Sequence, residues 1–209
     1  MSLAIVYTRA ALGIEAPLIT VEVHLSNGLP GLTMVGLPET TVKEARDRVR
    51  SALINSGYAF PAKKITINLA PADLPKEGGR YDLPIALALL VASEQLNTTR
   101  LNQYEFVGEL ALTGGLRGVP GAIPSAMEAI KAGRRIVVSS DNAAEVGLIG
   151  GSDCLVADHL QEVCAFLAGQ TSLSRPLTEA PSVDERGEDL RDVIGQQQGK
   201  RALEIVAAG

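Results

Sequence analysis

Residues 68–92, NLAPADLPKEGGRYDLPIALALLVA, gather the side chains best able to do chemistry in this chain. Lys76, Glu77, Arg80 and Asp82 surround Gly78 and Gly79, where the backbone is free to turn and to let another group approach closely. Strand-to-helix loops of this kind are where α/β proteins commonly place their ligands. Asp73 and Asp82 stand on either side of the glycines as a possible acid and base or Mg²⁺ pair, but turn chemistry accounts for both. Asp82 sits where an N-cap carboxylate would accept the first orphan amides of the following helix, with Pro84 in a first turn that needs no donor there.

The flanking elements read clearly. Ile65, Ile67 and Leu69 alternate with polar residues as a half-buried strand. From Leu83 to Ala92 no polar side chain occurs, so this helix must be covered on nearly every side. Before it, 3–12 and 17–28 read as two strands of a hairpin, and 32–35 as a further short strand. Thr41 and Glu44 have the spacing of a capping box for a helix ending near Gly57, whose Val42, Ala45, Val49, Ala52 and Leu53 share one face. Lys43, Arg46 and Arg50 line another face at helical spacing. Later, 105–118 reads as a hairpin, 120–133 as a helix, 135–139 as a buried strand, 154–157 as another, and 160–168 as an amphipathic helix. Asp141 or Asn142 would cap a short helix between the last two strands, and Asp158 would cap the last helix. This alternation predicts an α/β fold with crossover connections.

The chain has 209 residues, enough for one ordinary core. Its core must be aliphatic, because aromatics make up only 3% and Trp is absent. No apolar run is long enough to span a bilayer and no export signal opens the chain, which points to a cytoplasmic protein. Cys154 and Cys164 are too few for a disulfide scaffold or zinc site and read as buried thiols. His24 and His159 are isolated, in a strand and at a helix start, which favours surface or capping roles over catalysis. The net charge of −5 offers no global case for nucleic acid. Between residues 42 and 80, however, eight basic residues face four acidic ones. The stripe Lys43, Arg46 and Arg50 is therefore either a solvated helix face or a set of phosphate contacts.

Three blocks carry a resemblance: GLPGLTMVGLPETTVKEARDRVRSAL, KITINLAPADLPKEGGRYDLPIAL and VGELALTGGLRGVPGA, in that order. They resemble the amino-terminal domain of the magnesium-chelatase-like AAA+ ATPases of the ComM type. The PKEG loop and the GE-x-x-LTG hairpin are also similar to the Lon protease domain and to the carboxy-terminal domain of RadA. The resemblance implies a Lon-protease-like (ribosomal protein S5 domain 2-like) α/β sandwich of mixed sheet and helices. Aligned on the apolar helix, the Lon nucleophile position falls on Asp82 and the Lon lysine position near Ser125, so both catalytic positions are replaced. It implies that the loop and the hairpin end lie close together, bringing Lys76, Arg80 and Arg117 around an anion: Glu77, Glu109, a nucleotide or DNA.

On this reading residues 1–170 form the Lon-like domain, 171–188 a linker marked by Pro176 and Pro181, and 189–209 the truncated start of an AAA+ module. No G-x-x-x-x-G-K-[ST] loop occurs in the sequence. The expectation is an amino-terminal piece of a longer ATPase, with no cofactor or metal site of its own and ATP and Mg²⁺ implied for the parent. Its expected partners are its own AAA+ module and neighbouring subunits of a homo-hexamer, with DNA as a candidate and no membrane. Lys43, Arg46, Arg50, Lys76, Arg80 and Arg117 are the candidate nucleic-acid contacts, and no residue is assigned to catalysis. The resemblance implies an accessory role in an ATP-dependent branch-migration helicase of recombination and natural transformation. The alternatives are a Lon-type hydrolase with a relocated nucleophile, such as Ser125 with Lys131 or else Ser139 or Ser140, and a magnesium-chelatase-type subunit.

Overall fold

A computed structural model describes residues 2–36, 39–74, 76, 78–149, 153–176 and 190–208, with the backbone alone over 39–43. In chain order the elements are β1 (Ser2–Arg9), β2 (Leu18–Ser26), β3 (Gly31–Val35), α1 (Glu39–Asn55), β4 (Lys64–Ala70), α2 (Asp82–Ala92), β5 (Tyr104–Phe106), β6 (Glu109–Leu110), β7 (Leu116–Arg117), α3 (Ala122–Lys131), β8 (Arg135–Ser139), α4 (Ala143–Gly147), β9 (Cys154–Ala157), α5 (Leu160–Leu167) and α6 (Gln197–Ala208). Contacts divide the chain into two units, residues 1–179 and 180–209. The second holds α6, an amphipathic helix with an Arg201–Glu204 ion pair of 3.0 Å along its surface.

The first unit is an α/β fold on a seven-stranded mixed sheet of order β3-β4-β2-β1-β5-β8-β9. Only β2 runs against its neighbours, because it is the return strand of the β1 hairpin. The parallel pairs all need crossovers, which the helices supply. Helices α1, α2 and α5 build one core with the sheet, and α3 and α4 build a second on the opposite face. Strand β8 shows the pleat dividing the two, with Val137 in the first core and Ile136 and Val138 in the second. The β1-β2-β4 portion is covered on one face only, and Leu3 and Ile5 are exposed on the other.

As its composition requires, α2 is buried at every residue but Val91. Its capping differs from the sequence expectation. The N-cap position is Tyr81, with no side-chain cap bond, and Asp82 is the first helical residue. The Asp82 carboxylate instead spans three elements. Its Oδ2 accepts from Arg48 Nε of α1 at 2.7 Å and from the Leu110 amide of β6 at 3.3 Å, while Oδ1 accepts from Arg48 Nη2 at 3.2 Å. A guanidinium one element away outcompetes the helix's own amides because it offers two charge-assisted bonds.

Other caps also move. Helix α1 starts at Glu39, two residues ahead of the expected box, and the side chain of Thr41 lies outside the described residues. Asn142 holds the N-cap position of α4, but neither its side chain nor that of Asp141 makes a cap bond there. They turn to the loop after β7, where Asp141 Oδ2 accepts from the Gly118 amide at 2.9 Å and Asn142 Oδ1 from Val119 at 3.0 Å. His159, not Asp158, caps α5, its Nδ1 accepting from the Gln161 amide at 3.1 Å. The expected 105–118 hairpin is narrower, with β6 and β7 pairing apart from the sheet while β5 joins β1 and β8. Ser174, within the expected linker, bridges to Val156 on the edge strand β9.

The β1–β5 junction, where the chain order of the sheet is broken, registers a single residue pair, Tyr7 with Glu105. Glu105 is fully buried and takes Arg9 Nε at 2.6 Å, Arg9 Nη2 at 2.7 Å and Arg134 Nε at 2.9 Å. Arg9 also donates to the carbonyls of Ala16 and Glu128, both at 3.0 Å, and Arg134 lies 4.7 Å above the Tyr7 ring. Glu105→Gln should destabilise the protein by about 3 kcal/mol, because two guanidinium groups then share a neutral partner. Chemical denaturation measures this, and a loss within about 0.5 kcal/mol would show that the seam is held by packing alone.

Burial raises the Asp82 carboxyl from 3.8 to about 6 despite the opposing pull of Arg48 and the Leu110 amide. Its folded value lies above the unfolded one, so the native state binds the extra proton between those values and this group adds stability as pH falls through that window. Arg48→Leu should cost about 2–3 kcal/mol at pH 8, where Asp82 is left charged and alone, and far less near pH 5, where it is protonated. In an Asp82→Asn background the same substitution should cost almost nothing. If Arg48→Leu is harmless at both pH values, Asp82 acts only as a local helix-end residue.

Candidate functional site

Two regions of the first unit gather the cations singled out in the sequence. The first is a groove of about 550 Å³ beside the edge strand β3. The apolar face of α1, with Ala45, Val49, Ala52 and Leu53 buried, fixes the opposite face outward. Arg46 and Arg50 therefore line the groove together with Leu32, Phe60, Lys63 and one acidic residue, Asp47. The Arg50 guanidinium lies over half-buried Phe60, its carbon 4.9 Å from the ring centre. Arg46 is exposed and bonds to Asp47 at 3.0 Å, an ion pair worth little in water. Lys63 is exposed. The side chain of Lys43 lies outside the described residues.

A sheet edge, an aromatic ring and three cations in one concave surface can receive a phosphate backbone and stack a base or sugar against the Arg50–Phe60 plane. The helical stripe led to Arg46 and Arg50 alone. Phe60 and Lys63 come from the segment leading into β4, and the signal for them was an aromatic residue three positions before a Lys-Lys pair.

The second region is the glycine loop itself. Residues Gly79–Tyr81 form one turn of 3-10 helix that delivers the chain into α2. Gly79 lets the Glu109 side chain approach closely, since a Cβ there would stand 2.4 Å from its carboxylate oxygen and push it aside. The loop and the end of the β6–β7 hairpin are thus in contact, but Lys76, Arg80 and Arg117 do not share one anion. Lys76 is buried and its ammonium is held by the Pro71 and Leu74 carbonyls of its own loop. Arg117 is exposed and pairs with Glu109 at 3.5 Å. Arg80 is buried, donating to Ser125 Oγ at 3.1 Å and to the Pro120 carbonyl at 3.4 Å. Desolvation pulls its guanidinium below the ordinary arginine value.

The serines are structural in their contacts. Ser125 is buried, donates to the Gly121 carbonyl at 2.8 Å and accepts from Arg80. Lys131 stands six residues further along α3, on a different face, and its ammonium bonds Glu128 at 2.5 Å. Ser139 caps the turn after β8, accepting from the Asp141 amide at 3.2 Å and donating to the Leu116 carbonyl at 3.2 Å. Cys154 and Cys164 are buried free thiols, both pushed up in pKa by desolvation. No helix among the described residues is long and apolar enough to cross a membrane.

Comparison with known proteins supplies the family. The model for subunit ChlI of Mg-chelatase matches residues 21–142, a span that holds both the groove and the glycine loop. Protein YifB of Salmonella typhimurium, itself uncharacterized, is 75% identical over 209 residues, all of this chain and 41% of the relative. Competence protein ComM of Haemophilus influenzae is 56% identical over 214 residues, all of this chain and 42% of the relative. The uncharacterized protein Rv2897c of Mycobacterium tuberculosis is 37% identical over 210 residues. The chain thus spans about two fifths of the length of the curated relatives it matches. With over half of its residues under the ChlI model and its whole length aligned to ComM, the chain belongs to the magnesium-chelatase-like family, an AAA+ ATPase-like group.

Proposed function

We propose that this chain is a non-catalytic accessory domain of a hexameric AAA+ ATPase, one that holds DNA during branch migration in recombination and natural transformation. The observation that carries the DNA contact is the groove beside β3, where Arg46, Arg50 and Lys63 share one concave surface with Phe60 and the Arg50 guanidinium lies over its ring. Family membership and the similarity to a competence protein support the wider setting. ATP and Mg²⁺ would bind the AAA+ module of the parent, in the cytoplasm, with neighbouring subunits and the module itself as protein partners. The contacts of Ser125 favour a structural over a nucleophilic role, since its oxygen faces a cation and a carbonyl rather than a base. The ChlI description also keeps open a role as a chelatase-type subunit, which ATP-dependent metal insertion by the whole protein would reveal.

Fluorescence anisotropy of the chain with forked and single-stranded DNA across a salt series tests the groove. Replacing Arg46, Arg50 and Lys63 together by Ala should weaken binding and flatten the slope of log K against log salt by about 0.7–0.9 per lost phosphate contact. Phe60→Ala should weaken single-stranded binding by about 1–3 kcal/mol while leaving the slope unchanged. A triple variant with unaltered affinity and slope makes the basic stripe a solvated face and leaves the domain an assembly role.

Casein and peptide turnover by the chain should not rise above background, nor should ATP hydrolysis. Peptidase activity that disappears in Ser125→Ala would establish the relocated-nucleophile hydrolase instead.

A further inference from the structure

Three of the first unit's buried or largely buried arginines are matched by a carboxylate. Arg9 has Glu105 at 2.6 Å, Arg134 has the same Glu105 at 2.9 Å and Arg48 has Asp82 at 2.7 Å. Arg80 breaks the pattern. It is 4% exposed, yet no carboxylate lies within ion-pairing distance of it among the described residues, and its Nε has no hydrogen-bond partner. Its bonds go only to a hydroxyl and, at 3.4 Å, to a carbonyl. A desolvated cation left in that state is costly unless a negative charge reaches it.

Arg80 does face open space. It lines a cleft of about 450 Å³ whose other walls are Ala11, Gly78, Gly79, Glu109 and the 118–120 loop. Gly121, which follows that loop, is the N-cap of the ten-residue helix α3, with φ +75 and no side-chain cap. The position a Cβ would take on Gly121 lies 4.0 Å from Arg80 Nη1 and 3.7 Å from the Ala11 Cβ, so the helix start, the guanidinium and Ala11 converge. The start of α3 therefore packs beside Arg80 and Ala11, two residues of the cleft wall, and its positive end adds to the field of the guanidinium there. Glu109, the acidic residue in the wall, is paired with Arg117 and packed on Gly79, and it forms no ion pair with Arg80.

We propose that this cleft binds an oxyanion of the phosphate type, as free phosphate or as the phosphate group of a small ester, held by Arg80 and the amino-terminal end of α3. The anion supplies the counter-charge that the fold gives to Arg9 and Arg48 from its own carboxylates. The volume admits a phosphate ester of sugar-phosphate size, and glycines on two walls let the ligand approach main-chain atoms. This site is separate from the groove beside β3 and stands or falls independently of DNA binding there.

Calorimetric titration of the chain in chloride buffer with inorganic phosphate, ribose 5-phosphate and neutral ribose tests it. Saturable binding of phosphate or of ribose 5-phosphate, with none of ribose, is expected, and the tighter of the two ligands identifies the source of the oxyanion. Arg80→Met should weaken that binding by about tenfold or more, as loss of a charge-assisted contact requires. Because a buried arginine also packs, Ala11→Glu provides the second variant: residue 11 is exposed, and a carboxylate placed there reaches into the same cleft. Ala11→Glu should abolish phosphate binding while raising the phosphate-free melting temperature, since it supplies the missing counter-charge. The proposal is overturned if neither phosphate nor ribose 5-phosphate binds saturably, or if Ala11→Glu folds and binds them as the parent does.

Discussion

Glu105 is the point on which the sheet's continuity rests. The four strands β3, β4, β2 and β1 and the three strands β5, β8 and β9 meet along one junction, and that junction registers a single residue pair. So short a ladder contributes few hydrogen bonds. The junction is closed instead by a fully buried carboxylate between two guanidinium groups, with Arg9 reaching on to the Ala16 and Glu128 carbonyls. These bonds tie the turn after β1, the end of α3 and the start of β8 to one charge. An ion pair of this kind adds little net stability over an apolar replacement, but it tolerates only one arrangement of its partners.

The Arg48–Asp82 pair does for the helical layer what Glu105 does for the sheet. Helix α2 is so uniformly apolar that packing alone gives it little rotational preference. A carboxylate in its first turn, bonded at once to α1 and to the β6 amide, sets both its rotation and its height above the sheet. The α2 start thereby also sets the glycine loop that precedes it, because Leu83 and Arg80 exchange backbone bonds with Gly108. What surrounds Arg80 is thus a consequence of where Asp82 is anchored.

Six of the eight basic residues between 42 and 80 meet three fates. Arg48 and Lys76 are consumed internally, by a carboxylate and by carbonyls. Arg46, Arg50 and Lys63 remain at a concave surface with an aromatic ring, where charge and stacking act together. Arg80 is buried beside a cleft, with no carboxylate in ion-pairing distance among the described residues. Counting charges along the chain could not separate these, since the three groups alternate in sequence and differ only in what lies opposite them.

The pattern of the sequence alone determined the elements. Period-two alternation marked β1, β2 and β4, the apolar run marked α2 as a covered helix, and Gly57 and Gly133 marked helix ends, since all of these depend on neighbours a few residues away. The outward face of α1, with Arg46 and Arg50, was legible for the same reason. Only the tertiary structure decided the partners of the charged side chains. Asp82 reads locally as a cap, and it is a buried ion-pair partner because Arg48, 34 residues away, arrives with two donors. Asp141, Asn142 and Asp158 likewise have cap-like positions, yet the first two serve amides 23 residues away and the third yields its cap to His159. Glu105 and Arg9 are separated by 96 residues, and Phe60 and Lys63 join Arg50 only when β4 pairs with β3. Local propensity is written in short-range spacing, whereas the match between a buried charge and its partner depends on distances that exist only after the chain has closed on itself.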